Sequence, residues 1–522
     1  MGKQSGVPRK QWPRRFHAVL GVLLVIGIVL GQEACYPDSD SLAAPDFERP
    51  TMAEASNEPI LLADVSADAL MGTDKRFFEI SQIVPEFGGY WIDERGDAVT
   101  ALTNLTKQTA VANVTRSEID SKLSSTGGSR RYTEVTYTFS QLIGWKENIT
   151  GLFGARSDVA YLDIDQKNNR LLVGLVSVSA ASAVQSLART VGIPDGAIAT
   201  TVSGRAEPDR APPIRYEGGS AQSYHSLRHR FNRTLGGIMV RHGDTTGVDR
   251  CTLMLGVTMG SSERYVTASH CAGDDAFASL DTDLPIYQSG TNTSDRLGYE
   301  LVDPQQTCSI NGGGTPPARC RWADAALFGQ DDSNDKFARG WIATTKDDAD
   351  EIIESGGELI GSPFDAWKHN HKHGDSLYVM TSEGGEIPTT QVTGQSLIKI
   401  GAFSGRTHGR VTHDCVDIYN WPSPARDYGV RCQNLANYLR TGGDSGGPVF
   451  ASDGRFFGLH VGRFTNSNSS EDDVDASPFY SPIANIEEDL GSMNTEGEEH
   501  LAFFVPYSVW QAVVADDGGD QQ

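Results

Sequence analysis

The chain has 522 residues, of which 44 are Lys or Arg and 68 Asp or Glu, giving a net charge of −24. This length suggests more than one domain and leaves ample chain for a sizeable core. So acidic a balance disfavours nucleic acid and anionic membrane as partners and favours solubility.

The N-terminus carries Lys3, Arg9, Lys10, Arg14 and Arg15, then an apolar run from Phe16 to Gly31. A basic segment followed by such a run reads as a secretory signal, assigned here to residues 1–34, and export to the outside of the cell follows. The run is short for a spanning helix, and an uncleaved anchor is the alternative. Cys35 follows closely and raises the possibility of a lipid anchor. However, Gln32-Glu33-Ala34 departs from the apolar-small-small pattern of a lipidation box, and Ser41-Leu42-Ala43 offers an ordinary cleavage site. Membrane association is therefore expected only through this end.

Residues 35–207 contain one cysteine, Cys35. Within them Tyr161 to Asp165 and Arg170 to Val176 read as strands around the turn Lys167-Asn168-Asn169. A helix-like run, Ala180 to Val191, ends at Gly192 with Pro194 just beyond. This unit reads as a pro-region or an accessory domain. Residues 208–233, with Pro212-Pro213 and the basic cluster Arg228 to Arg233, read as a linker carrying a processing site. Residues 234–522 form the remaining domain, closed by an acidic tail.

Six of the seven cysteines, Cys251, Cys271, Cys308, Cys320, Cys415 and Cys432, lie in that last domain. An even set confined to one domain of an exported chain argues for disulfides, although six cysteines permit fifteen pairings. Their spacings are not those of zinc knuckles, so no metal is assigned. His369, His371 and His373 alternate as on one face of a strand, but no carboxylate or cysteine pattern supports a metal there, and a solvated loop is expected.

The chemistry concentrates at three places. In Thr441-Gly442-Gly443-Asp444-Ser445-Gly446-Gly447-Pro448 a serine sits on a glycine-rich turn before an apolar strand. Glycine tolerates positive φ and close approach of a carbonyl, so the N–H groups of Gly443 and Ser445 can converge into an oxyanion hole. A hydroxyl needs a positioned base and an orienting third group. His270, at the tip of the apolar run Tyr265 to Ala268, is the candidate base, and Asp324, lodged among Trp322, Ala323, Ala325 and Ala326, is the candidate acid. Asp303, Asp331 and Asp332 are nearby rivals for that place.

The order His270, Asp324, Ser445 and the contexts Thr-Ala-Ser-His-Cys, Asp-Ala-Ala-Leu and Gly-Asp-Ser-Gly-Gly-Pro resemble the chymotrypsin-like (trypsin-fold) serine proteases, especially their bacterial branch. Subtilisins and α/β-hydrolases run their triads in other orders. The resemblance covers roughly the last half of the chain. It implies an all-β protease domain of two six-stranded antiparallel β-barrels with a C-terminal helix, matched here to Phe504 to Ala515, and a catalytic site between the barrels. By the same resemblance the strand-turn-strand-helix unit is similar to the α+β pro-regions of bacterial members, so the chain is expected to be a zymogen. Leu235-Gly236-Gly237-Ile238 resembles a mature N-terminus, placing processing near Thr234. Cys251 with Cys271 resembles the family's bridge beside the histidine, and neighbour pairing then gives Cys308 with Cys320 and Cys415 with Cys432. Ser404 to Val411 resembles a hairpin of bacterial members.

The function implied is a secreted serine endopeptidase acting on proteins or peptides through an acyl-enzyme, as a monomer and without a cofactor. Tyr438-Leu439-Arg440-Thr441 holds no acid, which disfavours trypsin-like preference for Lys or Arg. Thr441 and the strand Phe456-Phe457-Gly458-Leu459-His460-Val461-Gly462 resemble the pocket of glutamyl endopeptidases. By that match Thr441 and His460 bind the acidic side chain, with Arg463 adding a charge-assisted contact. Asp444 is assigned a structural role, paired with a new N-terminal amine or an arginine. A glutamate pocket and a cut after Arg233 disagree, so maturation would need another protease. The alternatives are apolar primary specificity, or a surface binding protein built on a protease fold.

Overall fold

The strands expected around the turn Lys167-Asn168-Asn169 form a hairpin whose place in the fold decides how the two halves of the chain meet. Val159–Asp165 pairs antiparallel with Arg170–Leu175, which pairs in parallel with Ile198–Val202, and the helix Ala181–Thr190 makes the crossover. Asn169 takes the left-handed conformation at the turn (φ 52°), which asparagine tolerates. Asn168 and Asn169 then hydrogen-bond to Asp165 and Tyr137. In the computed structural model the described residues are 65–115, 129–209, 227, 234–242, 249–272, 284–288, 295–304, 307–310, 318–330, 337–343, 378–379, 391–421, 428–451, 455–465 and 477–495. The signal-like segment, Cys35, Thr234's preceding basic cluster, His369, His371, His373 and Phe504 to Ala515 lie outside them.

On its other edge Val159–Asp165 pairs with Gly405–Ile418, with Tyr161 opposite Ile418 and Leu162 opposite Asp417. The hairpin therefore continues a sheet of the C-terminal half, and residues 57–522 cluster as one unit. Helix Phe139–Gly154 begins with a reciprocal capping box between Thr138 and Gln141 and buries Phe139, Leu142, Ile149 and Phe153. Each such side chain contributes roughly 1.5–3 kcal/mol on burial. The same helix buries Lys146, whose ammonium donates to Asp74 at 2.7 Å and to the Cys415 carbonyl at 2.6 Å. A buried charge at the junction of the halves is thus paired and hydrogen-bonded rather than isolated.

The C-terminal half is mostly β. Ser396–Gly401, Gly405–Ile418, Tyr428–Ala436, Pro478–Pro482, Phe456–Thr465 and Pro448–Phe450 pair in that order, and the last returns to the first. All six pairings are antiparallel, and they close into a ring. A second sheet runs Asp249–Thr252, Met239–His242, Pro285–Gln288, Arg296–Val302, Ala326–Gln330, Ser262–Thr267, Leu255–Met259, Phe337–Ile342. Among the described residues this order stays open, so the pairings draw one ring rather than the two expected. Helix Ile483–Leu490 packs Ile483, Ile486 and Leu490 into the core.

Three disulfides join Cys251 to Cys271, Cys308 to Cys320 and Cys415 to Cys432.

One boundary differs from the sequence expectation. Pro208, read as the start of a linker, is the last residue of a strand, Arg205–Pro208, and Asp209 is 1% exposed. That strand lies antiparallel along Phe456–Thr465, with Pro208 opposite Gly462, Glu207 opposite Arg463 and Ala206 opposite Phe464. Arg205 is exposed, Ala206 buried and Glu207 and Pro208 half-buried, and the four-residue segment adds to the sheet edge main chain to main chain. The segment belongs to the packed structure, not to a free tether.

Candidate active site

His270 sits in a short turn, Ser269–Cys271, directly after the strand Ser262–Thr267. Asp324 stands two residues before the first residue of the strand Ala326–Gln330, and Thr267 lies opposite Ala326 in the pairing of these strands. That register brings the two side chains together. His270 Nδ1 lies 2.5 Å from Asp324 Oδ2, and the His270 N–H donates to Oδ1 at 3.2 Å. Asp324 is fully buried, and the His270 side chain is 12% exposed with its Nε2 buried. Trp421 packs edge-on against it at 5.9 Å.

The rival Asp303 goes elsewhere. It accepts from Arg321 at 2.8 Å and from Ser269 at 2.7 Å, and burial raises its carboxyl to about 6 in spite of that arginine. Arg321 also donates to the Ala325 carbonyl, and Asp489 accepts from the N–H groups of Trp322 and Ala323. Asp324's own N–H donates to Ser481 Oγ at 3.1 Å. The Trp322, Ala323 and Asp324 N–H groups and the Ala325 carbonyl are thereby anchored, which helps fix the acid against the histidine.

Ser445 lies on the turn before Pro448–Phe450, with Gly443 and Gly446 at φ 91° and 86°. At both positions the backbone conformation itself calls for glycine. The turn is tied to its surroundings by Thr252, whose N–H donates to the Ser445 carbonyl at 2.7 Å and whose hydroxyl donates to the Gly443 carbonyl at 2.9 Å. Gly446 and His460 also exchange a main-chain hydrogen bond at 2.7 Å. The Ser445 hydroxyl donates to the Val461 carbonyl at 3.0 Å and lies 3.4 Å from the Asp209 carbonyl. It makes no hydrogen bond to His270, whose Nε2 has no hydrogen-bond partner among the described residues.

Among the described residues Asp444 pairs not with an arginine or an N-terminal amine, as expected from sequence, but with the side chain of Lys399 at 2.5 Å. It also accepts from the N–H groups of Phe403, Ser404 and Thr441, each at 3.0 or 3.1 Å. Lys399 is isolated from water, and burial lowers its pKa against the pull of Asp444. The physical reason is local: Lys399 lies on the strand beside Pro448–Phe450, opposite Val449, so its stem reaches the turn without crossing the core.

The pocket residues meet around one side chain, Asp209. His460 Nε2 lies 2.7 Å from one carboxylate oxygen, while Arg440 and Arg463 donate to the other at 2.9 and 2.6 Å. Burial would raise this carboxyl, but the His460 hydrogen bond and the two guanidiniums hold it down at about 2. Burial keeps the His460 imidazole below its ordinary value, so the ring is neutral: Tyr438 O–H donates to Nδ1 at 3.0 Å and Nε2–H donates to Asp209. Gly443 N–H donates to the Asp209 main-chain carbonyl at 2.7 Å. Thr441, expected to bind the acidic side chain, contributes a main-chain N–H to Asp444.

Sequence reasoning missed Asp209, Arg440, Lys399 and Thr252. Arg440 carried a signal, standing directly before Thr441; Asp209, 236 residues from Ser445 along the chain, carried none. Cys251, His270 and Cys271 form the one grouping of potential metal ligands among the described residues, and its two sulfurs are bonded to each other.

No family model matches the chain, and no curated protein matches it. The solved structures it is similar to are bacterial chymotrypsin-like serine proteases. A glutamic-acid-specific serine protease shares 19% identity over 50% of this chain and 100% of its own, with a TM-score of 0.30. Protease A of Thermobifida fusca shares 17% over 50% of this chain and 98% of its own, at 0.29. A Cellulomonas bogoriensis chymotrypsin shares 15% over 50% of this chain and 98% of its own, at 0.30. What Ser445 and its neighbours can do rests on their own geometry.

Proposed function

We propose that the chain is an exported serine endopeptidase of the two-barrel chymotrypsin-like kind, made with an N-terminal pro-region and selective for an acidic residue on the acyl side of the cut bond. The observation that carries this reading is a carbonyl held by the Gly443 N–H at 2.7 Å, beside Ser445, with the His270–Asp324 pair in place.

In the reaction the Ser445 hydroxyl leaves the Val461 carbonyl and attacks the substrate carbonyl carbon as His270 Nε2 takes its proton. Asp324 holds the Nδ1–H tautomer and stabilises the imidazolium. The Gly443 and Ser445 N–H groups receive the oxyanion; loss of one such donor costs about 3–4 kcal/mol of barrier. His270 then protonates the leaving amine, and water resolves the ester by the same route in reverse. Thr252, by tying down both ends of the Gly443–Ser445 turn, preorganises the donors. Arg440, Arg463 and His460 supply the acid-binding pocket, where removal of water strengthens each charge-assisted hydrogen bond.

Fluorophosphonate labelling of the processed protein tests the reading. Modification of Ser445, lost in Ser445→Ala and strongly slowed in His270→Gln, is the expected result. Silence in folded, processed protein refutes the enzyme and favours a binding protein on the same scaffold.

A further inference from the structure

Resting on the triad reading above, we propose that the peptide bond on the C-terminal side of Asp209 is this chain's own first substrate, and that the pocket selects aspartate over glutamate.

The chain places Arg205–Pro208 as an added strand in register on Phe456–Thr465. The next residue, Asp209, then has both of its functional ends accounted for. Its main-chain carbonyl accepts from Gly443 N–H at 2.7 Å, with the Ser445 hydroxyl 3.4 Å from the same oxygen. Its side chain fills the pocket, with direct contacts to His460, Arg440 and Arg463 at 2.6–2.9 Å. An internal contact made only for stability has no need to present its carbonyl to an oxyanion donor beside a nucleophilic serine. A bound substrate must do both.

The carboxylate, the imidazole and both arginines are each at most 4% exposed. All three donors reach the aspartate directly. An extra methylene would have to be accommodated by displacing buried guanidiniums, which close-packed interiors resist. Aspartate should therefore be preferred to glutamate by about tenfold or more, within the range that one methylene supports. An isosteric amide removes the charge the arginines share and should be disfavoured by about 100-fold or more.

The step balances without a co-reactant other than water. Ser445 Oγ bonds to the Asp209 carbonyl carbon, the bond to the nitrogen of Arg210 breaks, and His270 carries the hydroxyl proton to that nitrogen. Hydrolysis of the ester leaves an α-carboxylate on Asp209 and a new amine on Arg210. This assignment removes the conflict between an acid-selective pocket and a cut after Arg233: the enzyme matures itself at a residue that its pocket accepts. The strand Arg205–Pro208 still covers the cleft after the cut, so the N-terminal half must leave before other substrates enter.

The test is a time course of the full-length chain with its native cysteines, read by intact mass and N-terminal sequencing. Wild type should yield an N-terminus at Arg210, Ser445→Ala should stay uncut, and Asp209→Asn should be slowed about 100-fold, with Asp209→Glu between. Since an Asp209 variant could fail to fold, matured wild-type enzyme is also given matched peptides ending their acyl side in Ala-Glu-Pro-Asp, with Glu, Asn or Leu in the last place. Asp first and Asn at least about 100-fold behind supports the proposal. Cleavage of Ser445→Ala at the same bond, a self-made N-terminus elsewhere, Asp209→Asn cut at the wild-type rate, or a preference for Glu, Asn or Leu overturns it. Fluorophosphonate labelling separates the two readings. A labelled enzyme that fails these tests loses only the Asp209 proposal, whereas an unlabelled and uncut chain loses the protease reading too.

Discussion

Lys399→Met isolates the Asp444 carboxylate behind the nucleophile, and the structure sets the size of the effect. Both side chains are fully buried, and the ammonium donates to the carboxylate at 2.5 Å. Without the lysine, Asp444 keeps three backbone N–H donors, from Phe403, Ser404 and Thr441, but loses its counter-charge. Removing one partner of a buried pair costs about 3–5 kcal/mol. A loss of 1 kcal/mol lowers the midpoint by about 2–4 °C in a domain of roughly 200 residues, so a fall of about 6–20 °C is expected. Catalysis should fall as well, since Asp444 holds the segments on both sides of Gly443. The assay is denaturant and thermal unfolding of Lys399→Met in a Ser445→Ala background. A loss below about 1 kcal/mol refutes the assigned role of the pair.

Two further results are expected. Gly443→Ala forces an alanine to φ 91° and directs its methyl into the Phe403 ring, so peptide turnover should fall about 100-fold or more while the His270–Asp324 pair is untouched; unchanged turnover argues against Gly443 as an oxyanion donor. Burial pushes the Asp74 and Asp414 carboxyls at the junction of the halves up to about 7, and Asp163 raises His413 against the effect of its burial. At Asp74 and Asp414 the folded chain holds more protons than the unfolded one between about pH 4 and 7, so their stability is lost as the pH rises through that window; His413 adds a loss above its ordinary 6.5, while His242, lowered by burial to about 3, offsets part of the gain below 6.5. Uncut Ser445→Ala should therefore be more stable at pH 5 than at pH 7.5, by on the order of 2–4 kcal/mol at fixed salt. A reversed slope in urea unfolding refutes the assignment.

The parts legible in the sequence were those whose chemistry is local. Glycines flanking the Asp444-Ser445 pair, a histidine at a strand tip and an acid among alanines each announce their geometry within a few residues, because positive φ and burial constrain the neighbours directly. The hairpin around Asn168-Asn169 and the helix after it were legible for the same reason: turn residues and periodicity act over short range. The aspartate at the nucleophile's shoulder was legible as structural, but its partner was not. Lys399 reaches it through strand pairing, and nothing in the sequence marks a meeting 45 positions apart.

By itself the sequence pointed to a candidate nucleophile, base and acid, and to the expectations of export and of a pocket for acids. Only the tertiary structure decided what fills that cleft. Asp209 and Ser445 meet because one short strand adds to the edge of Phe456–Thr465, and main-chain hydrogen bonding carries no residue code by which a sequence could declare its partner. The same pairing bound the first two residues of the presumed linker, Pro208 and Asp209, and set two arginines and a histidine around one carboxylate. Charge complementarity of that kind is decided by approach through space, and the sequence records only the groups that take part.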